Sequence, residues 1–219
     1  MPDFKKPKLI VIDGIDGSGK ATQTKLLIEK LRLEQIPTET IDFPQYQNNF
    51  FGGMVRQYLD GKFGTPTQIN PKLASTLYAA DRWESSQKIK DWINENKLVV
   101  VDRYSTSNLI HQGAKMTEDQ LDEFIGWIDQ LEFKTFQIPQ PDLVIFLHVD
   151  PKTSYNLITK RGQGHDGHDT MEHLTVAEKR CLYMAKKLGW QTVECCQDGQ
   201  ILPIEKIQEK IWAIVKDNI

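Results

Sequence analysis

Short apolar runs rich in β-branched residues alternate along this chain with longer stretches whose apolar positions recur three and four residues apart. Leu9 to Asp13, Leu98 to Asp102 and Leu143 to Val149 read as strands, with weaker strands around Thr38 to Asp42 and Thr192 to Cys195. Lys20 to Leu33, Pro71 to Asn96, Glu118 to Leu131, Pro151 to Arg161, Leu174 to Leu188 and Ile204 to Val215 read as amphipathic helices. Near-continuous apolar strands separated by helices predict a three-layer α/β fold: a parallel sheet, helices on both faces, and ligands at the carboxyl ends of the strands. One segment departs from the pattern. Arg161 to His168 reads RGQGHDGH, three glycines among polar residues between two helices, and predicts a small mobile lid at about 160–173.

Length and composition narrow the class. A chain of 219 residues is long enough to bury about 70% of its unfolded surface without disulfides, so a single domain over 1–219 is expected. Lys and Arg total 27 against 30 acidic residues, a net charge of −3, which leaves no broad cationic surface and argues against a nucleic-acid partner. No apolar run approaches the roughly 18 residues of a membrane helix, and the MPDFKKPKL start has no signal-peptide core, so no membrane partner and a cytoplasmic location are expected. Cys181, Cys195 and Cys196 lack metal-type spacing and are read as reduced thiols.

The chemistry begins directly after the first strand. Gly14-Ile15-Asp16-Gly17-Ser18-Gly19-Lys20 is a GxxxxGK pattern leading into a helix. Its glycines let the backbone wrap a polyphosphate, its amide N–H groups and the helix start supply positive partial charge, and Lys20 reaches the outer phosphates. Residues 14–22 are therefore the candidate nucleotide-phosphate site. Ala21 stands where a serine or threonine hydroxyl usually ligates magnesium, and Thr22 is rotated about 100° away on a helix. Mg2+ is then expected to rest mainly on nucleotide phosphates, waters and nearby acids. The foremost of these is Asp102, at the end of the strand Leu98 to Asp102; Arg103 beside it offers a bidentate fork to a phosphoryl group.

GIDGSGKATQ, FPQY at Phe43 to Tyr46, LYAADRWE at Leu77 to Glu84, DRYSTSN at Asp102 to Asn108 and DTME at Asp169 to Glu172 together resemble the thymidylate kinase family of P-loop nucleoside monophosphate kinases, over positions 9 to about 190. The resemblance implies transfer of a phosphoryl group from ATP to dTMP with Mg2+, and a homodimer. It also implies roles. Tyr78, four residues from Arg82 on one helix, stacks on thymine while Arg82 bonds the base edge; both residue types suit that work. Asn108 reads the pyrimidine edge, an amide being able to donate and accept. His111 and Gln112 follow on the same face, His111 where relatives often carry a tyrosine near the deoxyribose.

Asp16 aligns the acceptor and Arg103, Glu172 approaches the sugar, and Phe43, Tyr46 and Tyr104 border the acceptor pocket. The family's extra transition-state arginine, absent from this phosphate loop, is expected at Arg161. Adenine is placed near Cys196 to Gly199. Phe124, Trp127, Ile128 and Leu131 form an apolar face that fits a dimer contact and burial in the chain's own core equally well.

His165, His168 and His173 read as part of a solvated segment and not as a metal site. Two other activities stay open: a kinase for another pyrimidine monophosphate, with Gln45 and His111 as the ambiguous positions, and a GTP-binding switch. The switch would need an Asn-Lys-x-Asp guanine reader, and Asn96-Lys97-Leu98-Val99 lacks its acid.

Overall fold

The computed structural model describes residues 8–161 and 170–219, the side chain of Arg161 aside. Five strands form one parallel sheet: β1 (Leu9–Asp13), β2 (Thr38–Asp42), β3 (Leu98–Asp102), β4 (Leu143–His148) and β5 (Gln191–Glu194), in the order β2-β3-β1-β4-β5. Both faces of β1 are covered, which is why LIVID is apolar without alternation. Ile10 and Ile12 pack toward α1 (Lys20–Leu33) and α8 (Ile204–Lys216), meeting Leu27, Leu31, Ile207 and Ile211. Leu9 and Val11 pack on the opposite face with Ile89 of α3 (Pro71–Asn94), and Phe146 of β4 meets α5 (Leu121–Asp129) and α7 (Met171–Leu188). Each fully buried Leu or Ile contributes about 1.5–3 kcal/mol, so the sheet is the rigid base from which the connecting loops project.

The expected strands and most helices fall within a residue or two of their observed ends, and the differences have local causes. α3 starts where Asn70 Oδ1 accepts from the Lys72 amide at 2.9 Å with Pro71 in the first turn. α7 begins three residues before the expected Leu174, because the Thr170 hydroxyl caps the His173 amide at 3.1 Å. The expected helix over Glu118 to Leu131 is three pieces: a 3-10 turn Glu118–Gln120, α5, and a π-helical turn Gln130–Thr135. Helix α2 (Phe50–Leu59), not anticipated, carries Gly52 and Gly53, whose low helix propensity hides it; it is held by packing on α3.

After β3 the chain makes one turn of helix, α4 (Ser105–Ser107), which continues as a π-helical turn, Asn108–Gln112. A hairpin of β6 (Cys196–Gln197) and β7 (Gln200–Ile201) precedes α8, and α6 (Pro151–Arg161) follows β4.

Of the two readings of the apolar face on α5, burial within the chain is the one observed. Phe124 and Ile128 are buried in this chain's own core with Leu174, Cys181 and Met184, and Trp127 packs against the same cluster. The apolar stripe is consumed by α7. Of the lid expected at about 160–173, residues 162–169, including His165 and His168, lie outside the described residues.

Candidate active site

The connection from β1 to α1 folds as a cradle at the sheet's carboxyl edge. Gly17, at φ +78°, lies against α6: a Cβ there would come within 2.8 Å of the Ser154 carbonyl oxygen and 3.0 Å of Ile158. No other residue accommodates both that backbone and that approach. The Ser154 hydroxyl donates to the carbonyl of Asp16, pinning α6 to the loop. Lys20 is buried, its ammonium donating to the Gly14 and Ile15 carbonyls at 3.0 and 2.8 Å. Burial, and then repulsion from Arg103, depress its pKa from the usual lysine range. Ala21 and Thr22 are exposed on α1.

Arg103 follows β3 in a left-handed conformation, φ +65°, a strained backbone for a non-glycine residue. Its guanidinium forms an ion pair with Asp16 and donates to His111 Nε2 at 3.2 Å. Because a guanidinium only donates, Nε2 accepts; the ring proton then sits on Nδ1, 3.3 Å from Nε2 of His173. Burial alone would raise the Asp16 pKa, but the charges of Arg103 and Lys20 and the Arg103 hydrogen bond outweigh it and hold the carboxyl far below its ordinary value. Burial likewise works against the Arg103 charge, and Asp16, Asp13 and Asp102 reverse that and raise its pKa.

The two strand-end acids differ in state. Asp13 is fully buried and satisfied: Oδ1 accepts from the Gly14 amide at 2.8 Å, and Oδ2 from the Thr106 and Ser107 hydroxyls, the latter at 2.8 Å. It fastens the start of the phosphate loop to α4. Asp102 instead keeps Oδ1 buried with no hydrogen-bond partner among the described residues. Burial raises its pKa against the opposing pull of Lys20 and Arg103. An orphaned carboxylate oxygen at this point fits a magnesium ion or one of its waters. Among the described residues no group of three or more His, Cys, Asp or Glu side chains could hold a metal, so the donor set suits an ion carried in largely by phosphates and water.

Beyond Arg103 lies a cleft lined by Asp16, Phe43, Tyr46, Tyr78, Arg82, Arg103, Tyr104, Asn108, His111 and Gln112, with Pro44, Leu59 and Ser107. Tyr78 presents its ring there, backed edge-on by Tyr58 at 6.1 Å between centroids. Tyr104 is buried, donates its hydroxyl to the Pro139 carbonyl at 3.0 Å and faces the cleft with its ring; burial pushes its pKa up. Gln112 keeps Oε1 buried and without a partner among the described residues.

Arg82 is 2% exposed and pairs through Nε and Nη2 with both carboxylate oxygens of Glu132, each at 2.7 Å. Asn108 donates to the same carboxylate at 2.8 Å and to the Ser75 carbonyl at 3.2 Å. Removing one partner of such a buried pair costs about 3–5 kcal/mol.

Ten of the expected acceptor-site residues thus share one cleft beside the phosphate loop. Glu172 does not: it is exposed on the first turn of α7, and its neighbour His173 is the residue that meets His111. Arg161 closes α6. The Cys196 to Gly199 segment is the β6–β7 hairpin, and α8 just beyond it is tied to α1 by a Gln23 bond to the Ile204 carbonyl at 3.1 Å.

Sequence reasoning missed Asp13, Glu132 and the pairing of His173. Glu132 carried a usable signal, since it continues the spacing of Phe124 and Ile128 by another four residues and so lies on the buried face of that helix.

Comparison with known proteins agrees with this geometry. The family model described as thymidylate kinase matches residues 12–211. The Schizosaccharomyces pombe thymidylate kinase is 33% identical over 82% of this chain and 76% of its own. The Homo sapiens thymidylate kinase is 28% identical over 98% and 92%. The solved structure of thymidylate kinase from Candida albicans superposes with a TM-score of 0.74 at 25% identity, covering 97% of this chain and 92% of that one. The phosphate loop, the strand-end acid and arginine, and the aromatic cleft belong together because the chain is a member of the thymidylate kinase family.

Proposed function

We propose that this enzyme transfers the terminal phosphoryl group of ATP to dTMP, giving ADP and dTDP. The observation that carries the reading is the cleft that Tyr78, Arg82 and Asn108 share with Arg103 and with Asp16 of the Lys20 loop. In this reading Gly14 to Thr22 hold the ATP phosphates and the β6–β7 hairpin borders adenine. Tyr78 stacks on the thymine ring. Phe43, Tyr46 and Tyr104 wall the pocket, His111 and Gln112 face the sugar, and Arg103 takes the acceptor phosphate while Asp16 keeps its guanidinium aimed.

An acceptor phosphate oxygen is already ionised, so the reaction needs alignment and neutralisation of charge more than a general base. Lys20 and Arg103 supply fixed positive charge, and Arg161 adds to it from the end of α6. Mg2+, bound through phosphates and Asp102, would supply charge neutralisation and in-line geometry. Glu172 is assigned to the sugar side.

The reading extends to one catalytic domain, a cytoplasmic location and a homodimer. No described helix is long and apolar enough to cross a membrane. Phe50 and Leu73, exposed on α2 and α3, are the candidate dimer face in place of α5.

A coupled ADP-release assay with dTMP, dUMP, UMP and CMP, and with no acceptor, tests the activity. Turnover greatest with dTMP and negligible without acceptor is expected. Equal release in every arm would refute it, and a guanine-dependent conformational change without acceptor phosphorylation would point to a switch instead.

A further inference from the structure

We propose that Glu132 is a positioning residue: it fixes the hydrogen-bonding polarity by which the cleft tells a pyrimidine with a carbonyl at C4 and an N–H at N3 from one with an amino group at C4. The inference rests on the cleft's being the acceptor site.

Glu132 is wholly buried on the π-helical turn after α5, touching no solvent, yet its carboxylate is a hub for both polar side chains aimed at the base. It takes Arg82 Nε and Nη2 at 2.7 Å each and Asn108 Nδ2 at 2.8 Å. The second Asn108 amide proton goes to the Ser75 carbonyl at 3.2 Å. A carboxylate and a backbone carbonyl are both pure acceptors, so the Asn108 amide has one orientation that satisfies its surroundings. Both its protons are spent, and Oδ1 is what it has left for the cleft it lines.

Arg82, on the other side of the same carboxylate, has only donors to give. The polar edge presented to a base is therefore one donor and one acceptor in fixed order. Uracil and thymine match it: O4 accepts from Arg82 and N3–H donates to Asn108 Oδ1. Cytosine reverses both groups, setting its amino group against the guanidinium and its bare N3 against Oδ1. A buried site that meets its substrate with like against like rejects it strongly, because neither partner can turn to water.

The negative charge is what enforces the order. A neutral amide at 132 would accept from Arg82 with its oxygen and turn an N–H toward Asn108, which could then rotate and offer its own N–H to the cleft.

The test compares kcat/KM for dUMP and dCMP, which differ only at C4 and N3, in the unmodified protein and in Glu132→Gln. The unmodified protein is expected to favour dUMP by roughly 10³-fold or more, and the variant by less than about tenfold, with KM for ATP unmoved. A general loss of turnover at an unchanged dUMP to dCMP ratio would overturn the inference, since a merely structural role lowers both alike. Should the glutamine variant not fold, Asn108→Leu leaves the Arg82–Glu132 pair in place and removes the acceptor; the ratio should fall there to what the Arg82 contact alone sustains, and an unchanged ratio is equally decisive against the proposal. A wild-type protein inert toward every pyrimidine monophosphate overturns the functional reading itself. An active one whose ratio ignores both substitutions overturns this inference alone.

Discussion

Replacing Gly52 by alanine is expected to damage the acceptor cleft from behind. A methyl group at Gly52 of α2 would lie 2.1 Å from the Gln45 carbonyl oxygen and 2.5 Å from its carbon, with Asp81 Oδ1 at 2.9 Å. The first two are backbone atoms of the turn that carries Phe43, Pro44 and Tyr46, three of the cleft's walls. Ordinary contact begins near about 3.5 Å, so the turn must withdraw by roughly 1 Å. It cannot do so freely, because the Gln45 amide donates to Asp81 at 3.0 Å and Asn49 donates to Asp81 at 2.8 Å.

Overpacking of this kind costs about 1–3 kcal/mol, offset by about 0.5–1 kcal/mol from alanine's better helix propensity. The net is a loss of up to about 2.5 kcal/mol, or a Tm lower by up to about 10 °C for a chain of this size. A displacement near 1 Å at the binding wall should also lower kcat/KM for the acceptor by about 10- to 100-fold while KM for ATP stays within about twofold. Gly53→Ala is the internal comparison. Its methyl would meet only the Tyr46 carbonyl oxygen, at 3.8 Å, so Tm should hold or rise. Thermal unfolding and steady-state kinetics on the two variants decide the matter, and identical behaviour of both would refute the steric argument.

Lys20→Ala removes the ammonium that donates to Gly14 and Ile15; turnover in the coupled assay should fall by about 10³-fold or more with an unchanged circular-dichroism spectrum, and near-normal turnover would contradict the role of the loop. Lys115 donates to the Tyr58 hydroxyl at 3.0 Å and the Pro66 carbonyl at 2.7 Å, and burial lowers its pKa to about 8. Between that value and the unfolded lysine's of about 10.4, the unfolded chain binds more protons, so this group's contribution to stability grows as pH rises through that window. Urea unfolding at pH 7 and pH 10 should show the wild type gaining about 1 kcal/mol on Lys115→Met, a figure already reduced for partial solvent exposure; a pH-independent difference would refute it.

How much of this was legible in the chain differs by element. The LIVID and LVVVD runs announced strands buried on both faces, and the glycines with Lys20 announced a phosphate loop, because both depend on patterns within a few consecutive residues. Tyr78 and Arg82, four apart on a helix, announced a shared face for the same reason. Family resemblance added the purpose of that face.

What only the tertiary structure decided were pairings across long separations. Glu132 reaches Arg82 from fifty residues away, and Thr106 and Ser107 reach Asp13 from more than ninety. Helix α2 exists because Gly52 can lie against the Gln45 backbone, and the apolar stripe of α5 faces inward because α7 covers it. Local periodicity tells a residue which way to face along its own element. Which charge, hydroxyl or methyl meets it there depends on how the sheet brings distant segments to one edge, and that is set by the packing of the whole chain.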